Sequence, residues 1–231
     1  MKLLMHVCCA PCSVYCIEEL RNEGIEPTLY WYNPNIHPYM EYKARRDCLK
    51  EYANIINVKA IFEEEYGLDS FCKNVISNLN SRCVNYCYPV RLKKTFEYAK
   101  KHGYDTVTTT LLYSIYQQHD YIKQLMEQYS KEYKIDFLYR DFRIGFWKGH
   151  QKAYDLGLYM QKYCGCIFSS EEKIISTNTT NKKPKLPKGF EFLPVKRNVN
   201  IKKEKDNKEQ YMDLLLEADP SENMINEYLK D

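Results

Sequence analysis

Three features of this 231-residue chain predict an α/β fold, a parallel sheet flanked by helices on both faces. Short apolar, β-branched or aromatic runs alternate with longer amphipathic stretches from the N-terminus to about residue 156. Glycine and proline punctuate the ends of those stretches, and the first apolar run is too short and too continuous to be anything but a buried strand.

In chain order, 2–7 reads as that strand, followed by a Cys-Cys-Ala-Pro-Cys turn and a helix over 14–22. Gly24 closes the helix and Pro27 follows it, the usual stop signal. A second strand over 28–32 ends at Asn33-Pro34-Asn35. A helix over 42–56, a strand over 59–62 and helices over 68–78 and 88–102 come next, the last ending at Gly103. Thr106–Leu112 is rich in threonine, valine and leucine, as half-buried strands are. A helix over 117–132, a strand over 136–139 and a helix over 147–156 complete the alternation, before a Cys-Gly-Cys turn. The domain boundary is placed at residue 175. A basic linker over 176–205 follows, then two short helices within 206–231 that read as the start of a truncated second domain and resemble the opening of a GNAT-type acetyltransferase.

Hydrophobic residues at 44% and charged residues at 28% fit one soluble domain with a sizeable core. Lysine and arginine exceed acidic residues by only 34 − 31 = 3, so any nucleic acid must be met by a local patch rather than a global field. No run approaches the roughly 20 apolar residues of a membrane span, and the N-terminus lacks a signal-peptide core. A cytoplasmic location, with no membrane partner, is the expectation. There the ten cysteines should be thiols, metal ligands or a cycling redox pair rather than a secreted disulfide scaffold.

Six of those cysteines form three tight pairs: Cys8/Cys9, Cys83/Cys87 and Cys164/Cys166. Neighbouring cysteines on a turn can send both sulfurs to one metal site, and Cys8, Cys9, Cys83 and Cys87 make the four thiolates of a [4Fe–4S] cluster. Four thiols packed as small hydrophobes, or a zinc site, satisfy the same count. Two Cys-x2-Cys knuckles would favour zinc, and the chain does not have two. Cys164-Gly165-Cys166 suits either a strained, easily reduced disulfide or an additional iron or other metal ion held by two sulfurs and backbone nitrogens. Cys12 shares the first turn with Cys8 and Cys9, where a thiol can donate a proton or join the redox chemistry. Cys16, Cys48 and Cys72 read as packing.

Five motifs in order carry a resemblance: His6-Val-Cys-Cys-Ala-Pro-Cys12, Arg82-Cys83…Cys87-Tyr-Pro-Val-Arg91-Leu92, Thr108-Thr-Thr-Leu-Leu112, Asp141-Phe-Arg143-Ile-Gly145-Phe146 and Gln161-Lys-Tyr-Cys-Gly-Cys166. Together they resemble the QueH type of epoxyqueuosine reductase over residues 1–175. The resemblance implies an adenine-nucleotide-hydrolase-like (HUP-like) fold and a [4Fe–4S] cluster on Cys8, Cys9, Cys83 and Cys87. Cys164 and Cys166 would form the redox-active pair or hold a second metal. The implied reaction is two-electron reduction of the epoxide on the modified wobble base of tRNA, giving queuosine, with an external electron donor and the tRNA anticodon loop as partners. Two departures stand out. The family usually has two residues between the cysteines of the middle pair, where this chain has Val84, Asn85 and Tyr86. Ile115 stands where the family often has proline.

Cys12, His6, Tyr163 and Asp141 are the candidate proton donors. A structural role for His6 at the strand end and an Asp141–Arg143 ion pair are the competing readings. For RNA, Arg45, Arg46, Arg91, Lys93 and Lys94 are candidate phosphate partners, and Tyr30, Trp31, Tyr32, Tyr39 and Tyr88 candidate stacking rings. Solvated helix faces and buried tyrosines explain the same residues equally well. A sulfur-transferring tRNA enzyme of related fold would need a Ser-Gly-Gly-x-Asp-Ser phosphate loop where Cys-Cys-Ala-Pro-Cys stands. A zinc-stabilised RNA-binding module is the non-catalytic alternative.

Overall fold

The computed structural model describes residues 1–179. Five parallel strands, β1 (Leu3–His6), β2 (Thr28–Trp31), β3 (Ala60–Phe62), β4 (Thr106–Thr109) and β5 (Asp136–Phe137), lie in the order β3-β2-β1-β4-β5. Seven α-helices surround them: α1 (Ala10–Asn22), α2 (Tyr39–Ile55), α3 (Leu68–Val75), α4 (Tyr88–His102), α5 (His119–Tyr133), α6 (Phe146–Asp155) and α7 (Ile167–Thr179). The parallel α/β architecture is the one the alternation predicts. From β1 the chain winds outward through β2 and β3, then returns to lay β4 and β5 on the other side. Right-handed crossovers run in opposite directions put their helices on opposite faces. Accordingly α1 packs on α2 and α6, while α4 packs on α5.

Every residue of β1 and β4 is buried, which is why these strands lack polar alternation. The carboxyl ends of β1 and β4 are adjacent, with His6 opposite Thr109, and strand order reverses between them. That crevice is where open α/β sheets place their ligands.

Three local differences from the sequence reading bear on the site. Helix α1 starts at Ala10, not near residue 14, because Pro11 occupies the first turn, where its missing N–H costs nothing. Cys9 is therefore the N-cap residue, and Cys12 lies on the helix one turn beyond Cys8. The expected strand over 106–112 ends at Thr109 and tightens into a 3₁₀ turn over Thr110–Leu112, turning the Thr110 hydroxyl toward Cys8. Helix α7 follows the Cys-Gly-Cys turn directly and reaches Thr179. Most of the basic linker over 176–205, and all of the helical segment over 206–231, lie outside the described residues.

Candidate metal centre

Cys8 and Cys9 leave β1 into the crevice with their sulfurs 3.8 Å apart. The Cys12 sulfur joins them, all three lying within 4.8 Å of one another. The tight grouping follows from the helix start: with Cys9 at the N-cap, Cys12 returns to the face from which Cys8 departs. The Cys8 sulfur accepts from the Thr110 hydroxyl at 3.4 Å, and that hydroxyl accepts the Cys8 N–H at 3.1 Å. Hydrogen bonds from Cys12 and Cys9, and then from Thr110, hold the Cys8 thiol well below its ordinary range. Cys12 is pushed up, first by donating to Cys8. Burial pushes Cys9 up. A thiolate ringed by thiols is a soft-metal site in donor chemistry, and this group can hold a metal ion.

The second pair is built differently. Cys83–Cys87 form one turn of π-helix, closed by the Tyr88 N–H donating to the Cys83 carbonyl, and run straight into α4. Such a turn is an α-helix with one residue inserted, and it occurs mostly at functional sites. The third intervening residue is thereby absorbed: the wider turn keeps both sulfurs on one side, as a two-residue spacing would in an ordinary helix. The two thiols act on each other's ionisation. The Cys87 thiol beside it brings Cys83 down to about 6, and Cys87 itself is raised, so this pair, too, has one thiol poised to ionise.

Arg91 lies one turn along α4 from Cys87. It is buried, donates to the Cys87 carbonyl at 2.6 Å, and its charge favours the thiolates of Cys83 and Cys87 while disfavouring a proton on His6. Cys87 also packs with Cys166, Phe71 and Val75 in a small satellite core.

The Cys164-Gly165-Cys166 loop is held by its backbone. Arg45, buried in α2, donates to the carbonyls of Tyr163 at 2.9 Å and Cys164 at 3.0 Å, while its Nε donates to Glu41 at 2.7 Å. The His37 N–H donates to the Gly165 carbonyl at 2.8 Å, and the Gly165 N–H to the Ser169 hydroxyl at 3.2 Å. Gly165 has φ +153°, and a Cβ there would sit 3.3 Å from Ile36 Cγ1. Cys164 and Cys166 are free thiols, as are all ten cysteines. Cys164 is exposed and accepts from the Gln117 amide at 3.4 Å, whereas Cys166 is buried beside Cys87.

Cys8, Cys12 and Cys164 open into one cavity of about 400 Å³, with Arg45, Arg91 and Gln161 also in its walls. The Gln161 amide donates to the Cys12 sulfur at 3.4 Å. Three of the four proton-donor candidates are otherwise engaged. His6 is buried, with Nε2 on the Tyr32 carbonyl and Nδ1 on the Thr109 hydroxyl, and burial lowers it to about 3. A carbonyl only accepts, so Nε2 carries the proton of a neutral ring. Asp141 receives both arms of Arg143 at 2.8 and 2.6 Å. The Tyr163 hydroxyl donates to the His37 carbonyl at 2.6 Å. Cys12 lines the cavity, and its neighbours Cys8 and Cys9 push its thiol up. Cys16 is core, donating to the Cys12 carbonyl, and Cys48 and Cys72 are half-buried packing residues.

The RNA candidates read from sequence need correction. Arg45 and Arg91 are buried and bound to the protein, and Tyr30, Trp31, Tyr32 and Tyr88 are core side chains. Arg46 and Lys94 are engaged with Asp47, Glu64 and Glu63. Tyr39 and Lys93 remain at the surface, away from the cavity. The sequence reading assigns no role to Thr110, which lies within the strand expected over 106–112, to Gln161, which opens the fifth motif, or to Gln117, which lies in none of the motifs.

The family model described as Epoxyqueuosine reductase QueH matches residues 3–172. The chain belongs to this family. Among curated proteins of that name, that of Dehalococcoides mccartyi is 35% identical over 178 residues, covering 77% of this chain and 97% of its own length. That of Haemophilus influenzae is 33% identical, covering 73% of this chain and 71% of its own length. That of Thermotoga maritima is 30% identical, covering 74% and 91% respectively. The matched span holds all three cysteine pairs and the whole described sheet. Among the described residues no helix is long and apolar enough to cross a membrane.

Proposed function

We propose that this protein reduces the epoxide of epoxyqueuosine at the wobble position of tRNA to give queuosine. The carrying observation is the opening of Cys8, Cys12 and Cys164 into one cavity at the point where strand order reverses. Family membership supplies the substrate class. Cys8, Cys9, Cys83 and Cys87 are the residues that would hold a [4Fe–4S] cluster. One thiol of each pair is already biased toward thiolate, and the buried charge of Arg91 favours the anionic form of Cys83 and Cys87. When bound, such a cluster supplies electrons singly.

The reaction balances as epoxide plus two electrons and two protons giving an alkene and water. Electrons come from an external one-electron donor. The Cys164/Cys166 dithiol, on becoming a disulfide, releases two electrons and two protons, which matches the demand of the epoxide. Cys164 faces the cavity and Cys166 faces Cys87, so the pair spans the distance between substrate side and metal side. Holding a second metal ion is the other reading of the same two sulfurs. Cys12, kept protonated beside the Cys8 thiolate, is the proton donor to the leaving oxygen. The compact Cys8–Cys9–Cys12 triad favours one second reading, a single thiophilic ion with an open position rather than a [4Fe–4S] cubane.

Anaerobic incubation with epoxyqueuosine-containing tRNA and a low-potential reductant, followed by nucleoside mass analysis, tests the reading. Queuosine should form, and Cys8→Ala, Cys83→Ala and Cys164→Ala should each abolish it. Full turnover in all three variants refutes the assignment. Metal analysis separates the two site readings: about four irons per chain supports the cubane, and one metal ion per chain supports the triad.

A further inference from the structure

The cavity that receives the reacting group has a mouth whose composition differs from the rest of the surface. Tyr116 and Trp147 are 78% and 72% exposed, the most exposed aromatic side chains among the described residues, and both line this cavity. Large rings so exposed are unusual unless something covers them. Neither dangles. Phe146, buried below them, packs edge-on against Tyr116 at 5.8 Å and Trp147 at 5.1 Å between centroids, and lies against Tyr113 on its inner side. The rings are thus mounted on the core through one shared residue.

The electrostatics of the walls run one way. Four cationic side chains line the cavity, Arg45, Arg91, Lys162 and Lys173, and among the described residues no carboxylate does. In a chain with a net charge of only +3, that is a concentration of positive charge. The two arginines are spent on the loop and the Cys87 carbonyl, but exposed Lys162 and Lys173 have no ion pair among the described residues. Lys148 and Lys152 on α6, by contrast, face Glu18 at 3.8 and 3.0 Å.

We infer that Tyr116 and Trp147 form a stacking platform for the unpaired bases that flank the reacting nucleotide, with Lys162 and Lys173 taking the neighbouring phosphates. The inference rests on the reductase reading above. A cavity of about 400 Å³ holds one small ligand-sized group, so it can admit a single extruded base, and its neighbours must lie outside. Exposed rings on a positive rim are the sequence-tolerant way to hold single-stranded bases. The argument selects a loop over a duplex, whose stacked bases offer no faces to a ring.

The test is binding of a fluorescein-labelled anticodon stem–loop RNA to the full chain, with a blunt RNA duplex of equal length as comparator. Trp147→Ala and Tyr116→Ala should each weaken the stem–loop by about tenfold, Trp147→Phe should restore most of the loss, and Lys162→Ala with Lys173→Ala should weaken it and flatten its salt dependence. Lys131→Ala, at the opposite end of the sheet, should change nothing. The only other tryptophan, Trp31, is fully buried, so quenching of exposed tryptophan emission by the stem–loop reads Trp147 directly. Wild-type affinity in both alanine variants, equal affinity for the duplex, or no RNA binding at all overturns the platform. If the stem–loop binds through Trp147 yet epoxyqueuosine tRNA is not reduced, the reductase reading fails and the platform stands.

Discussion

Replacing Arg45 with alanine should cost more stability than any other single change near the redox loop. The guanidinium is 2% exposed and makes three separate bonds: to Glu41, to the Tyr163 carbonyl and to the Cys164 carbonyl. Truncation leaves Glu41, 8% exposed, with only the Tyr159 hydroxyl as partner, and strips two carbonyls of their donor. Breaking one side of a buried ion pair costs about 3–5 kcal/mol, and an orphaned carbonyl about 1–3 kcal/mol. Because the loop can relax toward water, the two penalties overlap, and the net loss should be about 4 kcal/mol. With a urea slope near 2.5 kcal/mol per molar, the midpoint should fall by about 1.5 M. Arg45→Met combined with Glu41→Gln removes the stranded charge and should recover about half of that. Urea denaturation of the wild type, Arg45→Ala and the double variant, followed by circular dichroism, reads the result. A loss under about 1 kcal/mol for Arg45→Ala, or a double variant no better than the single, would refute the clamp.

Deleting Asn85, the exposed residue of the π-turn, converts Cys83-x3-Cys87 to a two-residue spacing; iron content per chain should stay at the wild-type value, and its loss would show that the inserted residue is needed. Thr110→Val removes the hydroxyl that bonds both the N–H and the sulfur of Cys8, and should speed iron loss to a chelator by about tenfold, as removal of other outer partners of metal ligands does. His37 is lowered to about 4 by burial, so the folded state resists a proton that the unfolded chain accepts near 6.5. Its contribution is therefore complete above about pH 6.5 and lost as the pH falls toward 4, at up to about 1.4 kcal/mol per pH unit. His37→Gln should flatten the acid limb of stability by that slope, and an unchanged limb would place the acid sensitivity elsewhere.

The site was legible wherever its geometry is local. Cys8 and Cys9 follow directly from a buried first strand and the rule for open sheets, and they lie where strand order reverses. The extra residue between Cys83 and Cys87 was visible as an anomaly, but its resolution as a π-turn depends on backbone hydrogen bonding that composition does not encode. Cys12 was visible as a neighbour of Cys8 and Cys9; that its sulfur completes the triad follows from a helix beginning four residues sooner than periodicity suggested. RNA contacts were the weakest reading. Arg45, Arg91, Trp31 and Tyr88 have the side chains of a nucleic-acid surface, and every one is buried.

The parallel α/β alternation, the three cysteine pairs and their order, and the family are all written in the linear chain. Periodicity, turn residues and short motifs act over a few residues, and a linear string records them in full. Folding sorts the charges into clamps and free groups, and the rings into core and exposed rim. It brought Tyr116, Trp147, Lys162 and Lys173 from three separate segments to one rim. Burial is a property of the packed whole: an arginine is a phosphate ligand or a buried strut according to what closes over it, and nothing in its immediate neighbours in the chain says which.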